Sequence, residues 1–383
     1  MDSSAVPLVS LLAHKTYDPA ATVAAMRELL APLGGMAAFV RPGQRVLLKP
    51  NLVYGRHPDK AINTHPEIVR AVAALAWDAG AGEVLIGDSP GFGSGWAALR
   101  SARILDVAEE MGLKVVEFTP VENVDINRSF VSLYLAREVL EADVVINLPK
   151  MKTHGQMLMT LAVKNMFGAV PGSRKLQWHY RAGRDRALFA RAINEIAMAV
   201  RPHLNILDAV VGMDGSGPTS GRPRSVGFLA AGGDAWAVDA AVMDILGIER
   251  SLLFTLADAA ENGPRAWMDA IVTGAAPSSL RPDDWRMPDM RSLQMHGGFI
   301  DKNLPWLATW LRNRISPRPR PGKACIACGY CVEICPADAM QMNDGVVTID
   351  DSACIRCYCC HELCQHDGMD MRRPGLLAKL LGL

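Results

Sequence analysis

Short apolar runs alternate with segments of helical spacing along most of the chain. Runs rich in Val, Ile and Leu are typical of the buried strands of a parallel sheet. They lie at Val6–Leu12, Arg45–Lys49, Glu83–Asp88, Leu113–Phe118, Asp143–Leu148 and Leu204–Val211. This alternation predicts an α/β body with a mostly parallel sheet covered by helices.

The intervals between these runs have helical periodicity. A helix is predicted after Thr64, because a capping box with proline in the first turn reads Thr64-His65-Pro66-Glu67. Further elements are predicted as helices at Trp96–Met111, Leu188–Val200 and Ala235–Leu246, and as a strand at Val226–Ala230. Beyond Pro264 the chain is richer in Pro, Asp and Arg, and we expect irregular structure until Leu304–Leu311.

Cysteine is confined to the C-terminal part, where all nine cysteines lie between Cys325 and Cys364. A secreted disulfide framework would spread its cysteines over the fold that it staples. Two runs of four share one spacing, Cys325-x2-Cys328-x2-Cys331-x3-Cys335 and Cys354-x2-Cys357-x2-Cys360-x3-Cys364. This spacing is typical of bacterial two-cluster ferredoxins, in which the fourth cysteine of each run ligates the other cluster.

The cysteine spacing therefore predicts two 4Fe-4S clusters with crossed ligands. One cluster is assigned to Cys325, Cys328, Cys331 and Cys364, and the other to Cys354, Cys357, Cys360 and Cys335. The alternative is a pair of structural zinc sites, which would leave the third cysteine of each triplet without a role. Cys359 adjoins a predicted ligand and could replace Cys360. Gln365 stands where the first run has Pro336, which leaves the geometry of the second loop open.

Composition divides the chain into four parts. The segment from Arg312 to Lys323 contains five cations, three prolines and no acid, which predicts a linker. We expect the body over residues 1–311, the linker over 312–323, a small α+β ferredoxin-like iron-sulfur domain over 324–371 and a short tail over 372–383.

Charge and hydropathy exclude several classes of protein. Lys plus Arg and Asp plus Glu both number 40, which removes the global electrostatic argument for a nucleic-acid partner. The longest apolar stretches, such as Ala142 to Leu148, are far shorter than the roughly 20 residues of a membrane span. The N-terminus lacks the cationic start of a secretory signal. We expect a cytoplasmic protein without a transmembrane segment.

Polar residues follow several predicted strands, at the edge where open parallel sheets place their ligands. Lys49 and Asn51 leave one strand, and a glycine-rich loop with Asp88, Ser89, Gly91 and Gly93 leaves the next. Amides at the start of the following helix favour an anion, although a plain tight turn is equally expected. A third segment carries Lys150, Lys152, His154, Lys164 and Asn165, and a fourth carries Asp208, Asp214 and Asp239. The alternatives are a solvated basic face for the third segment and turn or cap roles for the fourth.

Four motifs together resemble one family. They are Lys49-Pro50-Asn51, Gly87-Asp88-Ser89-Pro90, Pro149-Lys150-Met151-Lys152-Thr153-His154 and Lys164-Asn165-Met166-Phe167-Gly168. They are similar to the signature of the domain of unknown function numbered 362, whose members often carry a C-terminal two-cluster ferredoxin. The resemblance covers roughly residues 5–310 and the cysteine runs. It implies that one site contains Lys49, Asn51, Asp88, Lys150, Lys152, His154, Lys164 and Asn165, and it does not name the ligand.

The leading hypothesis is an iron-sulfur oxidoreductase, in which two 4Fe-4S clusters exchange electrons with an anionic substrate or organic cofactor in the body. The candidate catalytic residues are His154, Lys150 and Asp88. The candidate anion-binding residues are Lys49, Asn51, Ser89, Gly91, Gly93, Lys152, Lys164 and Asn165. Its partners would be a redox protein or a small electron donor or acceptor. The alternative is an electron-transfer or assembly protein that performs no chemistry, with Trp306, Trp310 and the tail as docking elements.

Overall fold

The computed structural model describes residues 6–91, 93–123, 133–172, 174–183, 185–288 and 316–372. A single large sheet organises the body. Its strands are β1 (Leu8–Ala13), β2 (Arg45–Pro50), β3 (Glu83–Ile86), β4 (Lys114–Val115), β7 (Val144–Leu148), β8 (Lys150–His154), β9 (Leu158–Thr160), β10 (Leu204–Asp214), β11 (Arg222–Gly232) and β12 (Ile271–Gly274). A separate hairpin pairs β5 (Pro120–Asn123) with β6 (Leu133–Ala136).

The main sheet is mixed and mostly parallel. Its order is β12-β1-β11-β10-β7-β2-β3-β4, and β8 continues the line of β7 along β10. The pairs from β10 through β4 are parallel, and β11 runs antiparallel to both of its neighbours. The predicted fold class of the body is therefore confirmed. The register brings Lys49 opposite Asn147 and Lys150 opposite Asp208, so these residues meet at the carboxyl edge.

Helices cover both faces of the sheet. They are α1 (Pro19–Leu30), α2 (Pro66–Asp78), α3 (Gly95–Ser101), α4 (Ile104–Glu110), α5 (Arg137–Leu140), α6 (Ala162–Asn165), α7 (Arg174–Ala182), α8 (Arg186–Val200), α9 (Ala235–Leu246) and α10 (Phe254–Asn262). Alternate residues of the central strands enter two different cores, as the pleat requires. Leu47 packs on one face with α8 and α9, whereas Val46 and Leu48 pack on the other with α1 and α2.

Three sequence-based expectations for the body are wrong in detail. The cap of α2 is His65, whose Nδ1 accepts from Glu67 N at 3.2 Å, while Thr64 Oγ1 donates to Leu148 O. The helix predicted at Trp96–Met111 is broken into α3 and α4, because Arg103 takes a left-handed φ of 59°. The region after Pro264 is not wholly irregular, since β12 extends the sheet beside β1.

The cysteine-containing region is a small α+β unit, here called the ferredoxin module (residues 318–372). It contains β13 (Arg318–Pro321), α11 (Tyr330–Glu333), β14 (Met340–Asn343), β15 (Val346–Ile349), α12 (Cys359–Glu362) and β16 (Met369–Arg372). Strand β13 pairs antiparallel with β16, so part of the predicted linker is a strand of this unit. Arg318 and Arg320 both bind Asp351, which explains the basic composition of that strand. Leu304–Leu311 and the tail lie outside the described residues.

Membrane-spanning helices were sought across the described ranges. None of the helices there combines the length and the apolar character that a bilayer span requires.

Candidate functional site

Four cysteines of the ferredoxin module surround one cavity of about 190 Å³. They are Cys325, Cys328, Cys331 and Cys364, the set assigned to one cluster from the spacing. Burial raises the pKa of Cys331 to about 11, and the neighbouring thiolates of Cys325, Cys328 and Cys364 add to the rise. Among the described residues, no three metal-ligating side chains are spaced for a single ion. Four thiols spread around one cavity fit a cubane cluster, because each thiolate binds a separate corner of it.

The second set of cysteines is more deeply buried and also converges. Burial raises the pKa of the Cys360 thiol well above its usual value, and the charges of Cys357, Cys354 and Cys335 contribute. The charge of Cys335 acts on both Cys354 and Cys360 of the other run, as crossed ligation would require. Cys359 hydrogen-bonds with Cys357 and is buried beside it.

The two cysteine loops have the same backbone conformation. The residues before the second cysteine of each run, Ala327 and Arg356, have φ of 54° and 58°. The fourth cysteines each accept a hydrogen bond from a backbone amide: Ala339 N donates to Cys335 Sγ and Gly368 N donates to Cys364 Sγ. The exchange of proline for Gln365 therefore leaves the geometry of the second loop unchanged. The donor set of both loops fits a 4Fe-4S cluster.

A second cavity, of about 100 Å³, lies between the carboxyl edge of the sheet and the ferredoxin module. We call it the central cavity. Its polar lining consists of Asn51, Asp88, Ser89, His154, Thr160, Lys164, Asn165, Lys175, His179, Cys359 and Glu362, and its other lining residues are Leu52, Val53, Gly91, Phe167, Gly168, Leu176, Pro218 and Leu363. Cys359, Glu362 and Leu363 belong to the ferredoxin module, in the segment between Cys357 and Cys364. One face of the cavity thus adjoins the predicted second cluster.

Buried ion pairs support the edge of the sheet beneath the central cavity. Lys49 Nζ lies 2.6 Å from Asp88 Oδ1 and donates to Asn165 O. Lys150 Nζ donates to Asp208 Oδ2 at 2.8 Å and to the hydroxyl of Tyr17 at 2.9 Å. Lys150, Lys152 and His154 are each at most 2% exposed, so the interpretation of their segment as a solvated basic face is wrong.

A chain of amide side chains connects the strands at this edge. Lys152 Nζ donates to Asn51 Oδ1 at 2.6 Å, and Asn51 Nδ2 donates to Asn165 Oδ1 at 2.8 Å. Asn165 Nδ2 then donates to Asn147 Oδ1, and Asn147 Nδ2 donates to Asn205 Oδ1. Every link has one donor and one acceptor, so the orientation of each amide is fixed by the next. Asn51 and Asn165 are therefore held rigidly where they line the central cavity.

His154 presents a nitrogen to the central cavity. Its Nδ1 accepts from the amides of Gln156 and Met157, so the neutral ring carries its proton on Nε2. Burial lowers the pKa of His154 well below its usual value, and the charge of Lys164 adds to this. Nε2 lies 3.2 Å from Glu362 Oε1 without the alignment of a hydrogen bond. The carboxylate of Glu362 is thus the group of the ferredoxin module that this nitrogen faces.

Two residues of α7 line the central cavity and were missed from the sequence. Lys175 Nζ donates to Ser89 O at 2.5 Å, and burial lowers the pKa of Lys175 to about 7. His179 packs between Phe167 and Phe189, and burial lowers the pKa of His179 to about 3. Their spacing of four along one helix places both on one face, and this was the available signal. Glu362, whose pKa burial raises to about 7, and Cys359 were also missed.

The central cavity contains some of the predicted site residues and not others. Its lining includes Asn51, Asp88, Ser89, Gly91, His154, Lys164 and Asn165. Lys49, Lys150, Lys152 and Gly93 do not line it. The expectation that Lys150, Lys152 and Lys164 together line one anion site is wrong, because Asp208 engages Lys150 and Asn51 separates Lys152 from the cavity.

The glycine-rich loop does not offer its helix amides to a ligand. Gly95 N and Trp96 N, the first amides of α3, donate to the carboxylate of Glu117. An internal carboxylate thus takes the place that was expected for an external anion. Gly91 instead packs closely on the ferredoxin module, since a Cβ there would lie 2.7 Å from Leu363 Cδ2.

The acidic residues of the fourth segment have structural roles. Asp208 binds Lys150 and Tyr17, and Asp214 binds Arg222. Asp239 accepts from the amides of Ala162 and Val163 at the start of α6. These carboxylates therefore hold elements together beside the central cavity.

Comparison with known proteins gives matches for both parts of the chain. The model of the family described as Domain of unknown function (DUF362) matches residues 46–244, and that of a 4Fe-4S binding domain matches residues 323–341. The Thylakoid-associated protein sll1697 of Synechocystis sp. is 42% identical over 287 residues, which cover 74% of this chain and 89% of that protein. A crystal structure of a Thermotoga maritima protein aligns with 53% of this chain and about half of its own length, at 10% identity and a TM-score of 0.33, too low to support any argument.

Proposed function

Because the chain belongs to the DUF362 family and carries a 4Fe-4S binding domain, we propose that it is an oxidoreductase acting on an anionic small molecule in the central cavity. The ferredoxin part makes it an iron-sulfur protein of the electron-transfer type. Two 4Fe-4S clusters, held by the two sets of cysteines assigned above, would supply single electrons. The residues around the central cavity would supply the binding of the substrate and the exchange of protons.

One observation carries this proposal. The central cavity is lined from one side by Cys359, Glu362 and Leu363, which lie among the predicted ligands of the ferredoxin module, and from the other side by residues of the sheet edge. A ligand in this cavity would therefore contact both the ferredoxin module, which would carry electrons, and the residues of the body that would bind it. The neutral ring of His154 would donate a hydrogen bond from Nε2 to such a ligand, and Glu362, whose pKa burial raises to about 7, would exchange a proton with it. Lys164 and Lys175 would hold its negative charge.

The first cysteine set favours a protein partner as the other electron donor or acceptor. Cys328 is exposed, and Ile326, which lines the same cavity, is 62% exposed. The two cysteine sets thus have different surroundings: the first includes the exposed Cys328, and the loop of the second contributes Cys359, Glu362 and Leu363 to the central cavity. Electrons would pass between a docked redox protein and the cavity through both clusters. The alternative function, docking without chemistry, uses the same exposed face and leaves the central cavity without a role.

The proposal is tested with the full chain, purified without oxygen and reduced chemically. The visible absorbance of the clusters is followed after addition of the small molecules that co-purify with the protein. We expect a small anionic acceptor to reoxidise the clusters. Lys164→Met should slow this reaction by about ten- to a hundredfold, because a charge-assisted hydrogen bond contributes roughly 1.5–3 kcal/mol.

The matched control is Lys114→Met. This lysine is 60% exposed and pairs with Glu83 at the opposite edge of the sheet, so its replacement should leave the rate unchanged. Reoxidation by carrier proteins alone, with no small molecule effective in any variant, would favour the docking alternative.

A further inference from the structure

The volume of the central cavity limits the size of its ligand. A water-sized group needs roughly 10–15 Å³ of such volume, so about 100 Å³ holds roughly seven to ten of them. A molecule with a similar number of non-hydrogen atoms would fill it. Flavins and nicotinamide dinucleotides are several times larger. The described walls therefore leave room for a small metabolite, and they would not enclose a whole flavin or nicotinamide dinucleotide.

The charges of the wall favour an anion of low charge. Asp88 is neutralised by Lys49, its buried partner at 2.6 Å. Lys164 and Lys175 remain, and Glu362 is the carboxylate that faces them. The described wall therefore contains more cations than unpaired carboxylates. Buried cations are stable when an anion accompanies them, and one carboxylate already in the wall disfavours a second strongly charged group.

Three hydrogen-bond donors belong to residues that line the central cavity. The ammonium of Lys175 has three protons, and the carbonyls of Ser89 and Pro90 accept two of them. His154 Nε2 carries a proton and lies 3.2 Å from Glu362 Oε1 without the alignment of a hydrogen bond, and its side chain is 1% exposed. Lys164, whose Nζ lies 5.9 Å from the ring centroid of Phe167, lines the same cavity as both groups. A carboxylate with two oxygens and about four lone-pair sites matches these donors.

The lining also discriminates between a carboxylate and a phosphate. Phosphate sites usually employ backbone amides at a helix start, and those of α3 are already occupied by Glu117. The central cavity instead has apolar walls formed by Leu52, Val53, Phe167, Leu176 and Leu363. Such walls fit a short hydrocarbon or aromatic body attached to the anionic group.

We propose that the central cavity binds a small organic carboxylate, with its carboxylate between Lys164 and Lys175 and its apolar body toward Phe167 and Leu363. The proposal rests on the function proposed above and names the class of substrate for that site. His154 then faces the body of the molecule from the side of the sheet, and Cys359 faces it from the side of the ferredoxin module.

Binding is measured by calorimetry on the anaerobic, cluster-loaded full chain, which needs no turnover. The probes are benzoate and benzamide, which share a shape and differ in charge, together with fumarate, naphthoate and inorganic phosphate. We expect benzoate to bind at least about tenfold more tightly than benzamide, with naphthoate excluded by size. Lys164→Met and Lys175→Met should each weaken benzoate binding by about ten- to a hundredfold, and Lys114→Met should not change it.

Three results would overturn the inference: equal binding of benzoate and benzamide, equal binding of benzoate and naphthoate, or tighter binding of phosphate than of any carboxylate. The same samples separate this inference from the proposed function. Carboxylates that bind but never reoxidise the reduced clusters would support the site and argue against the oxidoreductase. Reoxidation of the clusters by a neutral small molecule would support the oxidoreductase and argue against a carboxylate site.

Discussion

Single residues of the central cavity combine burial with titratable chemistry. Lys175 and His179 lie on α7, far in sequence from the loop that they face, and burial lowers the pKa of both. The protonation of Lys175 changes near neutral pH, because burial lowers the pKa of its ammonium to about 7. Its charge, and with it the attraction for an anion, therefore changes within the physiological range.

The affinity for benzoate should depend on pH through Lys175. Asp88, Lys49 and Lys164 are the charged groups that act on this ammonium. Only the protonated form attracts an anion, so the affinity should be full below about pH 7 and fall by up to about tenfold per pH unit above it. Calorimetric titrations across this range test the prediction. In Lys175→Met the decline should be shallower, because only Glu362, whose pKa burial raises to about 7, still gains negative charge in this range. An unchanged decline would assign the whole titration to Glu362.

Cys359 should not be a cluster ligand, although it adjoins Cys360. In Cys359→Ser we expect an iron content close to that of the wild type, about eight per chain for two cubanes. Cys357→Ser, the matched change at its hydrogen-bonded neighbour, should lose about half of the iron. Iron and sulfide analysis of anaerobically prepared protein measures both. Equal losses in the two variants would mean that the ligands of the second cluster are assigned wrongly.

At the scale of elements, the site depends on close approaches between the ends of strands and short helices. The 3-10 helix Met166–Ala169 follows α6 directly and passes over the buried pair of Lys49 and Asp88. Gly168 faces that pair, and a Cβ at this position would collide with Asp88 Oδ1 and approach Lys49 Nζ. The motif Lys164-Asn165-Met166-Phe167-Gly168 thus includes a packing requirement as well as chemistry.

Gly168→Ala should destabilise the body. Overpacking of a buried site costs about 1–3 kcal/mol, and here the new methyl group also disturbs an ion pair. Urea denaturation of the variant and of the wild type gives the free energy of unfolding of each. Gly155→Ala is the control, because a Cβ there has no atom within 4 Å and its loss of stability should be small. Equal stability of Gly168→Ala and wild type would contradict the described contact.

At the scale of the whole molecule, the body and the ferredoxin module meet around the central cavity. Arg56 of the body donates to the carbonyl of Gln365, and Ser220 Oγ donates to Asp367 at 3.1 Å. Leu363 packs against Gly91 in the same interface. The loop of the second cysteine run therefore completes the wall of a site that the sheet begins.

Enlarging Gly91 should separate the two parts without loss of the clusters. In Gly91→Val the new side chain meets Leu363, so we expect unchanged iron content and slower reoxidation of the reduced clusters by the small anionic acceptor found among the co-purifying molecules. Leu363→Ala in the same chain removes the colliding methyl groups and should restore part of the rate, a non-additive effect expected for residues in contact. Additive effects of the two changes would show that Gly91 acts elsewhere.

The sequence by itself determined the features that are encoded by residues close together in the chain. Periodic apolar runs predicted the mostly parallel α/β body, and the cysteine spacing predicted an iron-sulfur domain, because both are recorded in short intervals of the chain. The cysteine spacing could not predict the geometry of the second loop at Gln365, because spacing does not record the backbone dihedral angles of the folded loop.

Only the tertiary structure decided which charges share the central cavity. Lys150 and Lys164 occur in one segment, yet pairing with Asp208 buries Lys150 against β10, while Lys164 reaches the cavity. Lys175 and Glu362 join Lys164 from a distant helix and from the ferredoxin module. Membership of a cavity is set by sheet register and by the docking of remote elements, and neither leaves a local pattern in the sequence.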